Sequence, residues 1–163
     1  MSATLSTDTN GWTLNPNYEI DFDIIPARVR VVSGGVSIAT SAGARVMYEL
    51  GHAPMYYLPR ADVDMSCLQA TDKDTYCPYK GHASYWTVRA GGKVVENAIW
   101  TYLTPHSELS VLEGYLGFYW GKMDAWYEDD AEVSGPREIP GRVDTTNQLK
   151  RLFPELRRTH GVG

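Results

Sequence analysis

The sequence predicts a mainly β domain of short antiparallel strands, with a short helix near its C-terminal end. Three observations lead there. Turn signals built on Gly and Pro recur every eight to twelve residues along the middle of the chain. Apolar residues alternate with polar ones at a period of two, as in Ile20, Phe22 and Ile24 against Asp21 and Asp23. A helical spacing occurs only late, where Leu149, Leu152, Phe153 and Leu156 recur beyond the capping residues Asp144 and Thr145, with Pro154 placed to break or restart the helix.

Residues 1–17, rich in Ser, Thr, Asn and Gly, read as a loose arm anchored by Trp12 or Tyr18, with order beginning near Tyr18. The alternating segment 20–24 is the first strand and Pro26 ends it. Residues 28–32 and 36–39 form a hairpin about Ser33-Gly34-Gly35, because Gly accepts the positive φ that tight hairpin turns require. Residues 45–50 and 55–58 are strands parted by the turn Gly51-His52-Ala53-Pro54, and Pro59 closes the second. Asp62, Met65 and Leu68 fit one side of a single helical turn, and Thr71-Asp72-Lys73-Asp74 reads as loop. A second hairpin joins 85–89 to 93–97 through Ala90-Gly91-Gly92, and strand-forming residues continue to Tyr102. A third pair, 115–120 and 123–127, meets near Gly121-Lys122. The division this implies is an arm over 1–17, one β domain over 18–130 and a tail over 131–163. No internal repeat interrupts it.

At 163 residues, 43% of them hydrophobic and 21% charged, the chain suits one folded core and excludes disorder for its body. A net charge of −5 with scattered Lys and Arg lacks the clustered cations that phosphate backbones need, so no nucleic-acid partner is expected. No apolar run nears the roughly 20 residues that span a bilayer. With no charged head or hydrophobic stretch at the N-terminus, a cytoplasmic protein without a membrane partner is expected. Cys67 and Cys77 are too few for a disulfide framework and lack zinc-site spacing, so neither metal nor cofactor is expected. Five acids fall between Asp124 and Glu132, a negative patch able to recruit a basic partner or simply to stay solvated.

The densest chemistry lies in Thr75-Tyr-Cys-Pro-Tyr-Lys-Gly-His-Ala-Ser-Tyr-Trp86, which sets a thiol, an ammonium group, an imidazole and four aromatic rings beside a Pro and a Gly. Cys77 can act as a nucleophile if His52 or His82 serves as its base; equally it can be a buried small hydrophobe. Lys80, next to Gly81, stands where a loop can expose it to a carboxylate or phosphate, or merely to water. Arg60 and Asp62 can grip an anion, pair with each other, or cap the following turn. There is no phosphate-cradling Gly-rich loop or dinucleotide fingerprint. Tyr occurs eleven times and Phe three, more phenol than a plain core calls for; buried phenols need hydrogen-bond partners, so a wet or ligand-filled cavity is implied. Tyr85 and Trp86, as strand neighbours, must face opposite ways.

Gly34-Gly35-Val-x-Ile-Ala39, Pro54-x-Tyr56-Tyr57-x-Pro59-Arg60-x-Asp62-Val63 and the segment 75–86 together resemble the bacterial and fungal domain of unknown function 427. So do Asn97-Ala98-x-Trp100-x-Tyr102, Gly114-Tyr115-x-x-Phe118-Tyr119 and Asp124-x-Trp126-Tyr127-Glu128, over roughly residues 26–130 in all. That family also bears a nucleotidyltransferase-like name. The resemblance implies a β-tent: two antiparallel sheets meeting at an angle, shared with zinc-pinned domains that hold small ligands in an aromatic cage. The paired CxxC knuckles of those relatives are absent here, so packing must replace the metal. Residues 135–144 depart from the family's continuation.

The expected function is a small polar-ligand-binding module. Its candidate ligand-binding residues are Tyr57, Arg60, Asp62, Cys77, Tyr79, Lys80, Tyr85, Trp100, Tyr102 and Tyr119. Two alternatives stand beside it: an enzyme using Cys77 or Lys80 at the same place, and an interaction domain using the acidic run and the basic tail.

Overall fold

The structure, a computed structural model, describes residues 8–49 and 52–135. Eleven strands form within them: β1 (Ile20–Ile24), β2 (Val29–Ser33), β3 (Val36–Ser41), β4 (Arg45–Glu49), β5 (Met55–Pro59), β6 (Leu68–Cys77), β7 (Gly81–Ala90), β8 (Lys93–Tyr102), β9 (Tyr115–Phe118), β10 (Ala125–Glu128) and β11 (Ala131–Val133). They build two open antiparallel sheets, a seven-stranded one ordered β1-β4-β5-β9-β8-β7-β6 and a four-stranded one ordered β11-β10-β2-β3. The mainly β fold of two antiparallel sheets expected from the sequence is therefore the fold observed. The expected C-terminal helix lies outside the described residues.

Both faces of the large sheet carry a cluster of buried side chains. One meets the small sheet through Val29, Val31, Ile38 and Trp126, packed against Tyr56, Leu58, Ile99 and Phe118. The other carries a separate cluster that includes Tyr57, Tyr85, Trp100 and Tyr102. Adjacent Tyr56 and Tyr57 thus enter different interiors, as the two-residue period of a strand requires. A sheet covered twice takes up many more rings than a half-wet one, which is where much of the phenol surplus goes.

Two glycine turns lock one corner where the sheets meet. Gly34 and Gly91 have φ of 60° and 57°, and a Cβ on Gly91 would stand 1.8 Å from the Gly34 carbonyl oxygen. Only hydrogen fits between those backbones, and glycine alone supplies it at that φ without strain. Asp124 seals the corner, its Oδ2 accepting the Gly34 N–H at 2.6 Å and its Oδ1 the Lys93 ammonium. That ammonium, and then the Gly34 N–H, hold the Asp124 carboxyl below its usual range.

Several expectations are corrected. Residues 71–74, expected as loop, lie within β6, whose pairing to β7 slips between Ala70 and Asp74. The segments around 115–120 and 123–127 do not pair with each other: β9 joins the large sheet, β10 the small one, and a 3-10 turn at Trp120–Lys122 carries the chain between them. The expected turn across Asp62 to Leu68 is two 3-10 turns, Arg60–Asp62 and Met65–Cys67. Within the expected loose arm, Gly11–Leu14 forms one helical turn capped by Asn10, whose side chain accepts the Trp12 N–H. The acidic run is not one solvated patch either, because Glu128 is buried and accepts the Tyr56 hydroxyl at 2.5 Å while Asp129 Oδ1 accepts the Arg28 N–H. No helix among the described residues is long and apolar enough to cross a membrane.

Candidate functional site

The second cluster owes its shape to one missing side chain. Gly117 on β9 stands in register with Tyr57 on β5 and with Trp100 on β8. A Cβ there would come within 2.3 Å of Trp100 Cε2, so the indole lies across the glycine and donates its N–H to the Tyr57 hydroxyl at 3.2 Å. A lone glycine inside a strand pattern marks such close approach. Tyr85 sits opposite Trp100 on β7, and Tyr119 packs 4.6 Å from the Trp100 ring.

The connection from β6 to β7 delivers the polar groups. Pro78 favours the turn, the Lys80 N–H closes it on the Cys77 carbonyl at 3.2 Å, and Gly81 takes φ 118° to start β7. The turn points Lys80 inward, not out to water as its sequence setting suggested: its side chain is 0% exposed and its ammonium donates to Glu49 Oε1 at 2.5 Å. Glu49 ends β4; its Oε2 accepts the Tyr18 hydroxyl at 2.9 Å and lies 3.7 Å from His52 Nε2. Tyr18 in turn stacks on Tyr79 at 3.7 Å, and Trp12 donates its indole N–H to the Tyr79 carbonyl at 2.7 Å. The N-terminal helical turn thus roofs the Tyr79 end of the cluster.

Burial governs the titration of these groups. It pushes the hydroxyls of Tyr57 and Tyr102 well above the usual phenol range, and it raises Tyr18, where the Glu49 charge adds to the effect. Tyr85 is pushed up to about 12, again chiefly by burial, with the Thr75 hydroxyl opposing. The Cys77 thiol also rises through burial, which outweighs the pull of the Lys80 charge. All five therefore stay protonated at neutral pH: four phenol donors and a neutral thiol, around one internal ion pair.

Eight of the ten expected residues come together: Tyr57, Cys77, Tyr79, Tyr85, Trp100 and Tyr102 within the cluster, Tyr119 packed against it, and Lys80 with its charge bearing on Cys77. Arg60 and Asp62 do not join them. The Arg60 guanidinium lies 5.5 Å from the Trp86 ring centre, Asp62 Oδ2 accepts the Ser41 hydroxyl at 2.5 Å, and Trp86 packs against the inter-sheet core. Trp120 belongs to that core too, stacked 4.3 Å from Trp126. His82, proposed as a base for Cys77, is bonded instead to Asp74 and Asp8.

Glu49 escaped the sequence reading; Tyr18 was expected there only as an anchor of the arm and His52 only as a base for Cys77, and both instead meet Glu49. A signal for Glu49 existed, since Arg45, Met47 and Glu49 share one face of β4 by period two, and Met47 is an inward residue. Gly117 was likewise visible as a glycine inside a strand. Among the described residues no group of three or more His, Cys, Asp or Glu side chains could hold a metal ion.

A family profile described as "Domain of unknown function (DUF427)" matches residues 21–129 of the chain. No curated protein matches it.

Proposed function

Because the chain belongs to the DUF427 family, whose description assigns no activity, we propose from its own side chains that it is a binding module for a small polar ligand on the aromatic face of the large sheet. The observation that carries this reading is the buried Lys80–Glu49 pair, set among the phenols of Tyr18, Tyr57 and Tyr102 and the Cys77 thiol. A buried ion pair adds little stability over apolar residues of the same volume, since desolvating both charges costs about as much as their attraction returns. Its presence is better explained by a polar group that docks there and shares these donors and acceptors. Half-buried Tyr115, Tyr119, Phe22 and His52 border the cluster and give the ligand its approach.

The nucleophilic reading of Cys77 gains no support, because burial keeps the thiol protonated and both imidazoles considered as its base stand at carboxylates, His82 at Asp8 and Asp74 and His52 at Glu49. The binding reading is tested by a thermal-shift screen of small polar compounds against the wild type, Tyr119→Ala and Lys80→Met. A compound that raises the wild-type melting temperature saturably, with the effect lost in both variants, is the expected result. No saturable compound, or one indifferent to both substitutions, overturns the reading.

A further inference from the structure

Two pairing irregularities lie side by side at β7, one where β6 slips between Ala70 and Asp74, the other where β8 slips opposite Trp86 to Val88. Bulges re-aim the side chains they carry. The first brings the Lys73 ammonium to 4.6 Å from the centre of the Tyr85 ring. The second sets Asn97 at φ 49°, uncommon for a residue with a side chain; its Oδ1 accepts the Thr71 hydroxyl at 2.6 Å, tying one irregularity to the other.

The 3-10 turn at Trp120–Lys122 places the Lys122 ammonium 4.9 Å from the centre of the Tyr119 ring. Tyr85 and Tyr119 both adjoin Trp100, Tyr85 as its cross-strand partner and Tyr119 packed 4.6 Å from its ring, and Thr75 Oγ1 lies 2.8 Å from the Tyr85 hydroxyl. Two ammonium groups therefore stand at the rings of two phenols that share Trp100 as a neighbour, at the margin of the aromatic cluster. Among the described residues neither lysine is ion-paired to a carboxylate, and both are exposed. Asp74, next to Lys73, is turned to His82 at 3.2 Å. The Lys122 ammonium also donates to the Glu96 carbonyl at 3.4 Å, which still leaves donors for another partner because an ammonium carries three N–H bonds.

We infer that the ligand of this face carries an anionic group, a carboxylate or a phosphate, seated between Lys73 and Lys122 at the Tyr85–Tyr119 pair, with a planar apolar body directed toward Trp100. The inference rests on the binding reading above and adds the ligand's charge and orientation. Lysine suits the role as a point charge that tolerates either anion. The hydroxyls of Tyr85, Tyr119 and Thr75 supply the shorter-range polar contacts.

The test is a titration followed by protein NMR with three probes: phenyl phosphate, benzoate and the neutral benzyl alcohol. The expected result is saturable binding of at least one anion, with shifts at Tyr85 and Tyr119, and weaker binding of the alcohol. The two anionic arms identify which charged group the site prefers. Substituting both lysines (K73Q with K122Q) weakens the anion about tenfold or more, as loss of charge-assisted contacts does, and leaves the melting temperature unchanged; Arg89→Gln, a cation bonded to Gln69, leaves affinity unchanged. Neither anion binding, the alcohol binding as well as the anions, an unchanged affinity in the double variant, or an equal loss in Arg89→Gln overturns the inference. If the alcohol binds and Tyr119→Ala abolishes it, the anion is wrong while the binding module stands; if the compound screen also fails, both fall.

Discussion

Lys80 and Glu49, 31 positions apart in sequence, meet through a 2.5 Å hydrogen bond in the interior of the cluster, each with a side chain at most 2% exposed. That contact ties the turn entering β7 to the end of β4, two strands that are not neighbours in the sheet.

Lys80→Met leaves the Glu49 carboxylate buried beside Tyr18 without its cation. Breaking one side of a buried pair costs about 3–5 kcal/mol, whereas replacing both sides by apolar groups is often neutral. Urea unfolding should show a loss of that size for Lys80→Met and recovery of most of it in the double variant Glu49→Leu with Lys80→Met. A loss under about 1 kcal/mol for the single variant contradicts the burial argument.

The corner between the sheets separates two glycines of the same turn. Gly91 and Gly92 both have positive φ, but a Cβ on Gly92 meets nothing within 4 Å while one on Gly91 strikes the Gly34 carbonyl. Gly92→Ala should therefore cost only the left-handed backbone strain of about 1–2 kcal/mol. Gly91→Ala must also push two backbones apart, so its midpoint of denaturation should fall clearly further. Equal losses would show that the corner gives way freely.

His82 bonds to Asp8 and Asp74, chiefly to Asp8, and these carboxylates raise its pKa above the ordinary histidine value. A raised folded-state pKa means the stabilisation is complete below the unfolded value of about 6.5 and disappears as pH rises through the folded one. Its side chain is half exposed, so the contribution is at most about 1 kcal/mol. The stability difference between wild type and His82→Gln should be largest near pH 5.5 and absent by about pH 9. A difference constant across that range would remove the imidazolium from the account.

Cys77 is fully buried and Cys67 only partly so. Burial raises the pKa of both thiols. Iodoacetamide at pH 8 should label Cys67 slowly and Cys77 only after denaturant is added, as mass spectrometry of the peptides will show. Rapid labelling of native Cys77 would restore it as a reactive thiol.

Local signals carried the strands well. Alternation at 20–24 and the glycine turns at 34–35 and 91–92 correspond to β1 and to the β2–β3 and β7–β8 hairpins, because strand period and positive φ are properties of a few consecutive residues. The segment 71–74 failed for the complementary reason: its polar residues resemble a loop, yet the neighbouring β7 supplies hydrogen bonds that keep the chain extended through a bulge.

By itself, the sequence determined that this is an antiparallel β chain with more rings than one core needs, and it singled out most of the residues that gather at the aromatic face. Tertiary structure alone decided that β9 and β10 part into different sheets, that Arg60 and Asp62 lie away from the cluster, and that Lys80 turns inward to Glu49. The physical reason is separation along the chain. A strand's pattern says which residues share a face, but which face meets which, and whether a cation finds its carboxylate there, depends on pairings between strands far apart in sequence.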